Sequence, residues 1–262
     1  MGLYEELGEV DVISPVAEML LTGSVKLFPD GKIRSIYPLL PNVEDPWINV
    51  KVAEDRSCFL WHMIYFAQYG IISRNCFNCW KVVFRPRTLD ELFQIHKLQK
   101  KMDIPCKTGI ERRAGSMHKG AYAAFWYGPL GDLEGSRKLR DKVALAVRGE
   151  VGIDAKIILK RACTEMEDSA GPSERWKYPE GQRMFEDLLD TTWEVPSSGM
   201  MEPRALRVAT TRKWIGWAVR NRDQTAKKYY DSMQSFGVVP TTDYSDGKFP
   251  DEDLPEVHYA SA

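Results

Sequence analysis

Between Trp80 and Cys163 the chain switches between two hydrophobic periods in a fixed order, and no other stretch restricts the fold as tightly. Trp80-Lys81-Val82-Val83-Phe84 is β-prone and is closed by Pro86. Thr88-Leu89-Asp90-Glu91 is a capping box, in which the threonine oxygen and the glutamate three residues on satisfy the free amides of a helix start. Leu92, Ile95, Leu98 and Met102 then recur at helical spacing, leaving Lys97, Lys100 and Lys101 to water. Pro105 stops that helix. Residues 106–113 read as a strand, Gly115-Ser116 as a turn and residues 122–127 as an aromatic strand. Asp132 caps a second helix with Leu139, Val143 and Val147 on its apolar face, ended by Gly149 and Gly152. Residues 156–162 form a branched-aliphatic strand that delivers Cys163.

Strand, helix, strand, strand, helix, strand is the order of a split βαβ, or ferredoxin-like, antiparallel sheet. The expected class is therefore α+β, with this βαββαβ core over residues 74–168. An N-terminal hairpin and apolar helix occupy residues 1–73, and C-terminal helices with an acidic tail occupy residues 169–262.

In that topology a right-handed crossover makes the first two strands parallel, and the other two run against them. The starts of strands one and two then share an edge with the ends of strands three and four. Cys76 and Cys79 precede strand one, Cys106 starts strand two and Cys163 ends strand four, so the topology predicts that the four thiols converge. Soft thiolate sulfur suits zinc and iron, and a Cys-x-x-Cys turn presents both sulfurs to one ion. The expectation is a four-cysteine metal site at Cys76, Cys79, Cys106 and Cys163, with zinc preferred and an iron–sulfur cluster as the alternative. Two other readings stay open: small buried hydrophobes, and a redox dithiol at Cys76 and Cys79, although such a pair usually opens a helix and here a strand follows. Cys58 and His62, four residues apart, share a helix face and form half a ligand set, or more commonly core packing beside a satisfied imidazole.

Strand alternation puts Lys81 and Arg85 on one face of strand one, and Lys156 and Lys160 on one face of strand four. If the helices cover the other face, these four form a basic stripe that single-stranded nucleic acid would meet. The competing reading pairs them with Glu165 and Glu167. A basic helix over residues 203–233 carries Trp214, Trp217, Tyr229 and Tyr230, which either stack bases, dock the helix on the sheet, or serve protein assembly. A carboxylate cluster of Glu111, Glu165, Glu167 and Asp168 is disfavoured by strand polarity, which holds Glu111 away from the edge that delivers Glu165.

Residues 24–39 read as a hairpin around Pro29-Asp30-Gly31, and Gly70 ends an apolar helix that Asp55 can cap. That apolar run is shorter than the roughly 20 residues that span a bilayer, so no membrane partner is expected. The acidic N-terminus does not resemble a secretory signal, and five cysteines is an odd count, both pointing to reduced thiols in the cytoplasm. A net charge of -1 gives no whole-molecule attraction to nucleic acid. There is no phosphate-binding loop, dinucleotide glycine fingerprint or zinc-protease histidine motif. The function expected from these residues is a metal-binding accessory or binding module. The alternatives are an iron–sulfur or dithiol oxidoreductase and a cofactor-free assembly protein.

Overall fold

The computed structural model describes residues 13–35, 46–53, 55–58, 60–112, 120–194 and 204–229. The chain enters as helix α1 (Ser14–Leu21), with Pro15 in its first turn where its missing amide does no harm. Strands β1 (Val25–Leu27) and β2 (Ile33–Ser35) form the expected hairpin, with Val25 opposite Ser35. Gly31 takes φ +77° in its turn, and Asp30 accepts from the Lys32 amide at 3.0 Å. Strand β3 (Trp47–Lys51) follows, then a π helix (Leu60–Phe66) that runs into α2 (Ala67–Tyr69) and is closed by left-handed Gly70. Helix α3 (Arg74–Phe77) is capped by Ser73, whose side chain accepts from the Asn75 amide.

The central elements appear in the predicted order. Strand β4 (Trp80–Phe84) is followed by α4 (Leu89–Met102), capped by Thr88 accepting from the Glu91 amide at 3.2 Å. Strands β5 (Cys106–Arg112) and β6 (Gly120–Tyr127) precede α5 (Leu133–Val151), capped by Asp132. Strand β7 (Ile157–Arg161) then leads into α6 (Thr164–Ala170). Helix α7 (Gln182–Thr192), the two-residue β8 (Trp193–Glu194) and helix α8 (Arg204–Arg220) complete the described elements.

The main sheet has the order β3-β5-β6-β4-β7, and every neighbouring pair is antiparallel. The architecture is thus mixed α+β. Its edge beside β5 is closed by β3, so a strand from the N-terminal segment protects an otherwise unpaired ladder. The approach is close. A Cβ on Gly109 would stand 2.3 Å from the Pro46 carbonyl oxygen, so only glycine admits the incoming chain. Strand β8 pairs in parallel with β2, Ile33 opposite Trp193, making a second, three-stranded sheet with β1. The N-terminal, central and C-terminal segments therefore interleave.

Alternation divides the main sheet into two surfaces. Val82, Phe84, Cys106, Ala124 and Trp126 pack with Ile95 and Leu98 of α4 and Val143 and Val147 of α5. Val83, Ala123 and Phe125 belong to the other surface, with Trp47 and Tyr127 against them. A further core lies under the π helix, where Leu60, Trp61, Ile64 and Tyr65 meet Cys76, Ala162, Met166 and Trp193. Helix α7 is tied to it by a buried polar network: Gln182 donates to the Ile72 carbonyl at 2.7 Å, and Glu186 accepts from the Arg74 amide at 2.9 Å.

Candidate functional site

A lysine in the middle of Trp80-Lys81-Val82-Val83-Phe84 stands in a strand whose neighbours on both sides are also strands. Its charge must find an anion or be neutralised. Lys81 is 6% exposed, and its Nζ donates to Cys163 Sγ at 2.7 Å.

The backbone arranges this meeting. Strand β7 ends at Arg161, opposite Trp80, and the next residue, Ala162, has φ +56°. An L-residue in the left-handed region is strained by about 1–2 kcal/mol. Here it is buried, and its amide donates to the Cys79 carbonyl at 2.8 Å. The reversal turns Cys163 out of the ladder, so its sulfur reaches the surface that carries Lys81. His62 stands within hydrogen-bonding reach of the same sulfur. It projects from the π helix, a rare geometry that recurs at functional sites.

Burial alone would push the Cys163 thiol up. The Lys81 ammonium and the His62 contact outweigh it and bring the thiol down to about 6. Burial works against the Lys81 charge too, but the Cys163 sulfur holds its pKa well above the usual lysine value. The pair is a thiolate and an ammonium at neutral pH. Cys163 is only half-buried. It opens onto a cavity of about 70 Å³ lined also by Trp47, His62, Lys107, Glu111 and Glu165. Lys107 lies over the Trp47 ring at 4.3 Å. Glu165, although partly desolvated, is held below the usual carboxylate range by a hydrogen bond from its own backbone amide and then by Lys107, His62 and Lys81.

Three further cysteines surround this centre. Cys79 Sγ accepts from Arg56 Nη1 at 2.6 Å, and Arg56 is 3% exposed, with Nη2 on the Gly128 carbonyl. Cys76 lies in the core under the π helix, with Cys58 and Cys163 packed against that core. Burial raises all three neighbouring thiols, Cys58 to about 11, and the Cys163 charge raises each further. Cys106 is elsewhere. It pairs with Trp126 on the helix-covered surface, the sheet standing between it and Lys81, and burial pushes it to about 12. The structure thus brings Cys76, Cys79 and Cys163 together with Cys58, and not with Cys106. The starts of β4 and β5 do share the predicted edge, but edge sharing leaves the facing of each side chain undetermined. Among the described residues, no group of three or more His, Cys, Asp or Glu is disposed to hold a metal ion.

Of the predicted basic stripe, Lys81 is taken by Cys163, Arg85 pairs with Glu111 and Lys160 pairs with Glu167. Lys156 is exposed. Helix α6 folds back over this surface, and Thr164 donates to Glu111 Oε1 at 2.8 Å, so Glu111 and Glu165 do line one cavity. Polarity of the strands had separated them. The reversal at Ala162 and the reach of the side chains bring them together. Trp214 is fully buried and donates from Nε1 to the Pro46 carbonyl at 2.6 Å, while Trp217 packs on Tyr122 and Tyr229 on Phe93. These aromatics dock α8. The helix expected to reach residue 233 ends instead at Arg220, where Arg222 takes φ +60° and a 3-10 turn (Gln224–Ala226) follows; Tyr230 and the acidic tail lie outside the described residues.

Arg56 carried no sequence signal, and His62 was legible only as a partner of Cys58. The lysine interrupting an apolar central strand was the stronger clue. No described helix is long and apolar enough to cross a membrane. Comparison with protein-family models, curated proteins and solved structures yields no match.

Proposed function

We propose that this protein is a thiol-dependent catalyst in which Cys163 is the nucleophile, carried on a split βαβ frame of the ferredoxin-like kind. The observation that supports this reading is the 2.7 Å contact of Lys81 Nζ with a half-buried sulfur at the mouth of a small cavity. A thiolate is the reactive form of cysteine, and a buried cation keeps it populated at neutral pH. The thiolate attacks an electrophilic atom entering the cavity, and the His62 imidazole transfers a proton to or from the departing group. Lys107 and Glu165 line the approach. A cavity of about 70 Å³ has room for about two waters, so the reacting end of the substrate is small or narrow.

The test is alkylation by iodoacetamide with peptide mass spectrometry. Cys163 reacts first and far faster than Cys58, Cys76, Cys79 or Cys106. Equal labelling of all five, or an inert Cys163, rejects the reading.

A second reading takes up the cofactor expectation with altered membership. Cys58, Cys76, Cys79 and Cys163 interact electrostatically, and two of their sulfurs accept hydrogen bonds from buried cations, a pattern that also suits thiolates around an iron–sulfur cluster. Such a cluster spreads its ligands more widely than one zinc ion. Iron and sulfide in anaerobically purified protein, with visible absorption lost in Cys58→Ser but kept in Cys106→Ser, would favour it over the nucleophile.

A further inference from the structure

We propose that Cys79 is the resolving thiol for Cys163, so that a peroxide drives the pair into an intramolecular disulfide. The inference rests on the nucleophilic reading of Cys163 and adds a substrate class and a second reacting residue. Three observations carry it.

Trp80 and Arg161 are the last paired residues of β4 and β7, and the ladder continues one step further through the Ala162 amide and the Cys79 carbonyl. Cys79 thus stands opposite Ala162, and Cys163 follows that residue directly, near enough for its charge to act on the Cys79 thiol. Cys79 and Lys81 lie two residues apart along an extended chain and so share a surface, the one on which Lys81 meets Cys163. Finally, the Cys79 sulfur has its own buried cation, Arg56, at 2.6 Å. Among the described residues, no cation donates a hydrogen bond to the sulfur of Cys58 or Cys76, and Cys76 is sunk in an apolar core.

The chemistry balances with a hydroperoxide, ROOH, as oxidant. The Cys163 thiolate attacks the terminal oxygen, an S–O bond forms, the O–O bond breaks and the alkoxide leaves as ROH after taking a proton. Cys163 is then a sulfenic acid, oxidised by two electrons. The Cys79 sulfur attacks it, an S–S bond forms, the S–O bond breaks and the oxygen leaves as water with the thiol proton. Arg56, donating to the Cys79 sulfur, stabilises the negative charge that forms there as the thiol proton passes to the departing oxygen, and Lys81 remains beside the sulfur being displaced from oxygen. The cavity admits the narrow end of a hydroperoxide.

Full-length reduced protein is treated with hydrogen peroxide or tert-butyl hydroperoxide at neutral pH and mapped without reduction. The expected result is a Cys79–Cys163 cross-linked peptide, with a pair of free thiols lost per chain and restored by dithiothreitol. Cys79→Ser should stall at a dimedone-reactive sulfenic acid on Cys163, and Cys106→Ser should behave as the parent. The parent map alone decides the matter if a variant fails to fold. A disulfide from Cys163 to Cys76 or Cys58, or over-oxidation of Cys163 without any disulfide, overturns the assignment of Cys79. Peroxide-resistant thiols in a protein whose Cys163 is still rapidly alkylated overturn the redox step and leave the nucleophile standing. A Cys163 inert to both reagents overturns both.

Discussion

Lys81 Nζ lies 2.7 Å from Cys163 Sγ, and the lysine is 6% exposed, so neither charge has water as its main partner. Removing the ammonium leaves burial unopposed, and burial raises a thiol. The alkylation rate of Cys163 should therefore titrate with a midpoint near 6 in the parent and move well above neutral in Lys81→Met. At pH 7 the variant should alkylate about tenfold more slowly once the midpoint has risen by about two units. Rates from pH 5 to pH 9 by mass spectrometry check it. An unchanged midpoint would separate Lys81 from the reactivity of the thiol.

Ala162 supplies the reversal that presents Cys163, at φ +56° and 1% exposure. Glycine takes that conformation without strain but loses about 0.4–1 kcal/mol through the unfolded chain, so Ala162→Gly should change stability by less than about 1 kcal/mol. Valine combines a β-branch in the left-handed region with an added volume in a packed core. Ala162→Val should destabilise by more than about 2 kcal/mol and slow alkylation of Cys163 in whatever fraction folds. Urea midpoints of the two variants test this directly. A valine variant as stable as the parent would show that the turn is not constrained.

His96 is buried on α4 against Trp214, ring centroids 5.7 Å apart, and burial, then Lys100 and Arg207, bring its pKa down to about 4. The unfolded chain takes up that proton near pH 6.5, so between about 6.5 and 4 the unfolded state binds more protons than the folded one. Stability is complete above that window and falls as pH drops through it, by up to about 3 kcal/mol at its lower end. His96→Leu removes this contribution, and its urea midpoint should depend less on pH over the same range. Parallel pH profiles for the two proteins would mean that His96 is neutral for some other reason than its site.

The elements of the core were legible because each is marked locally: Thr88 and Asp132 at the caps, Pro86 and Pro105 at the breaks, the apolar spacing of Leu92, Ile95 and Leu98. What sequence could not reach depends on contacts between distant segments. The pairing of β3 with β5 and of β2 with β8 leaves no local trace except Gly109. The thiol centre was half legible. Topology gave the edge where Cys76, Cys79 and Cys163 gather, but strand phase placed Cys106 under the helices. Cys58 takes its place by packing against the core under the π helix, a contact between distant segments. The basic stripe failed for an electrostatic reason. A lysine on a central strand is read as solvated until the carboxylate or sulfur that takes its charge is known, and α6 brings those groups back across the sheet.

Helix α8 is rich in cations, yet the residue that fixes it is Trp214, with Nε1 on the Pro46 carbonyl at 2.6 Å and its ring beside Phe93 at 6.0 Å. Docking and nucleic-acid stacking make opposite demands on that side chain, because a ring buried to 0% exposure cannot also meet a base. Trp214→Ala should cost about 3–5 kcal/mol through the cavity it leaves. Trp214→Phe keeps part of the packing and loses one of the two hydrogen bonds at the Pro46 oxygen, which still accepts from the Ile110 amide at 3.4 Å, adding about 0.5–1.5 kcal/mol. Because Pro46 also leads into β3, the alanine variant should loosen the β5 edge as well, seen as faster amide exchange at Ile48 and Ile110. If α8 instead stacks bases through Trp214, the alanine variant would keep its stability and lose single-stranded RNA binding at low salt.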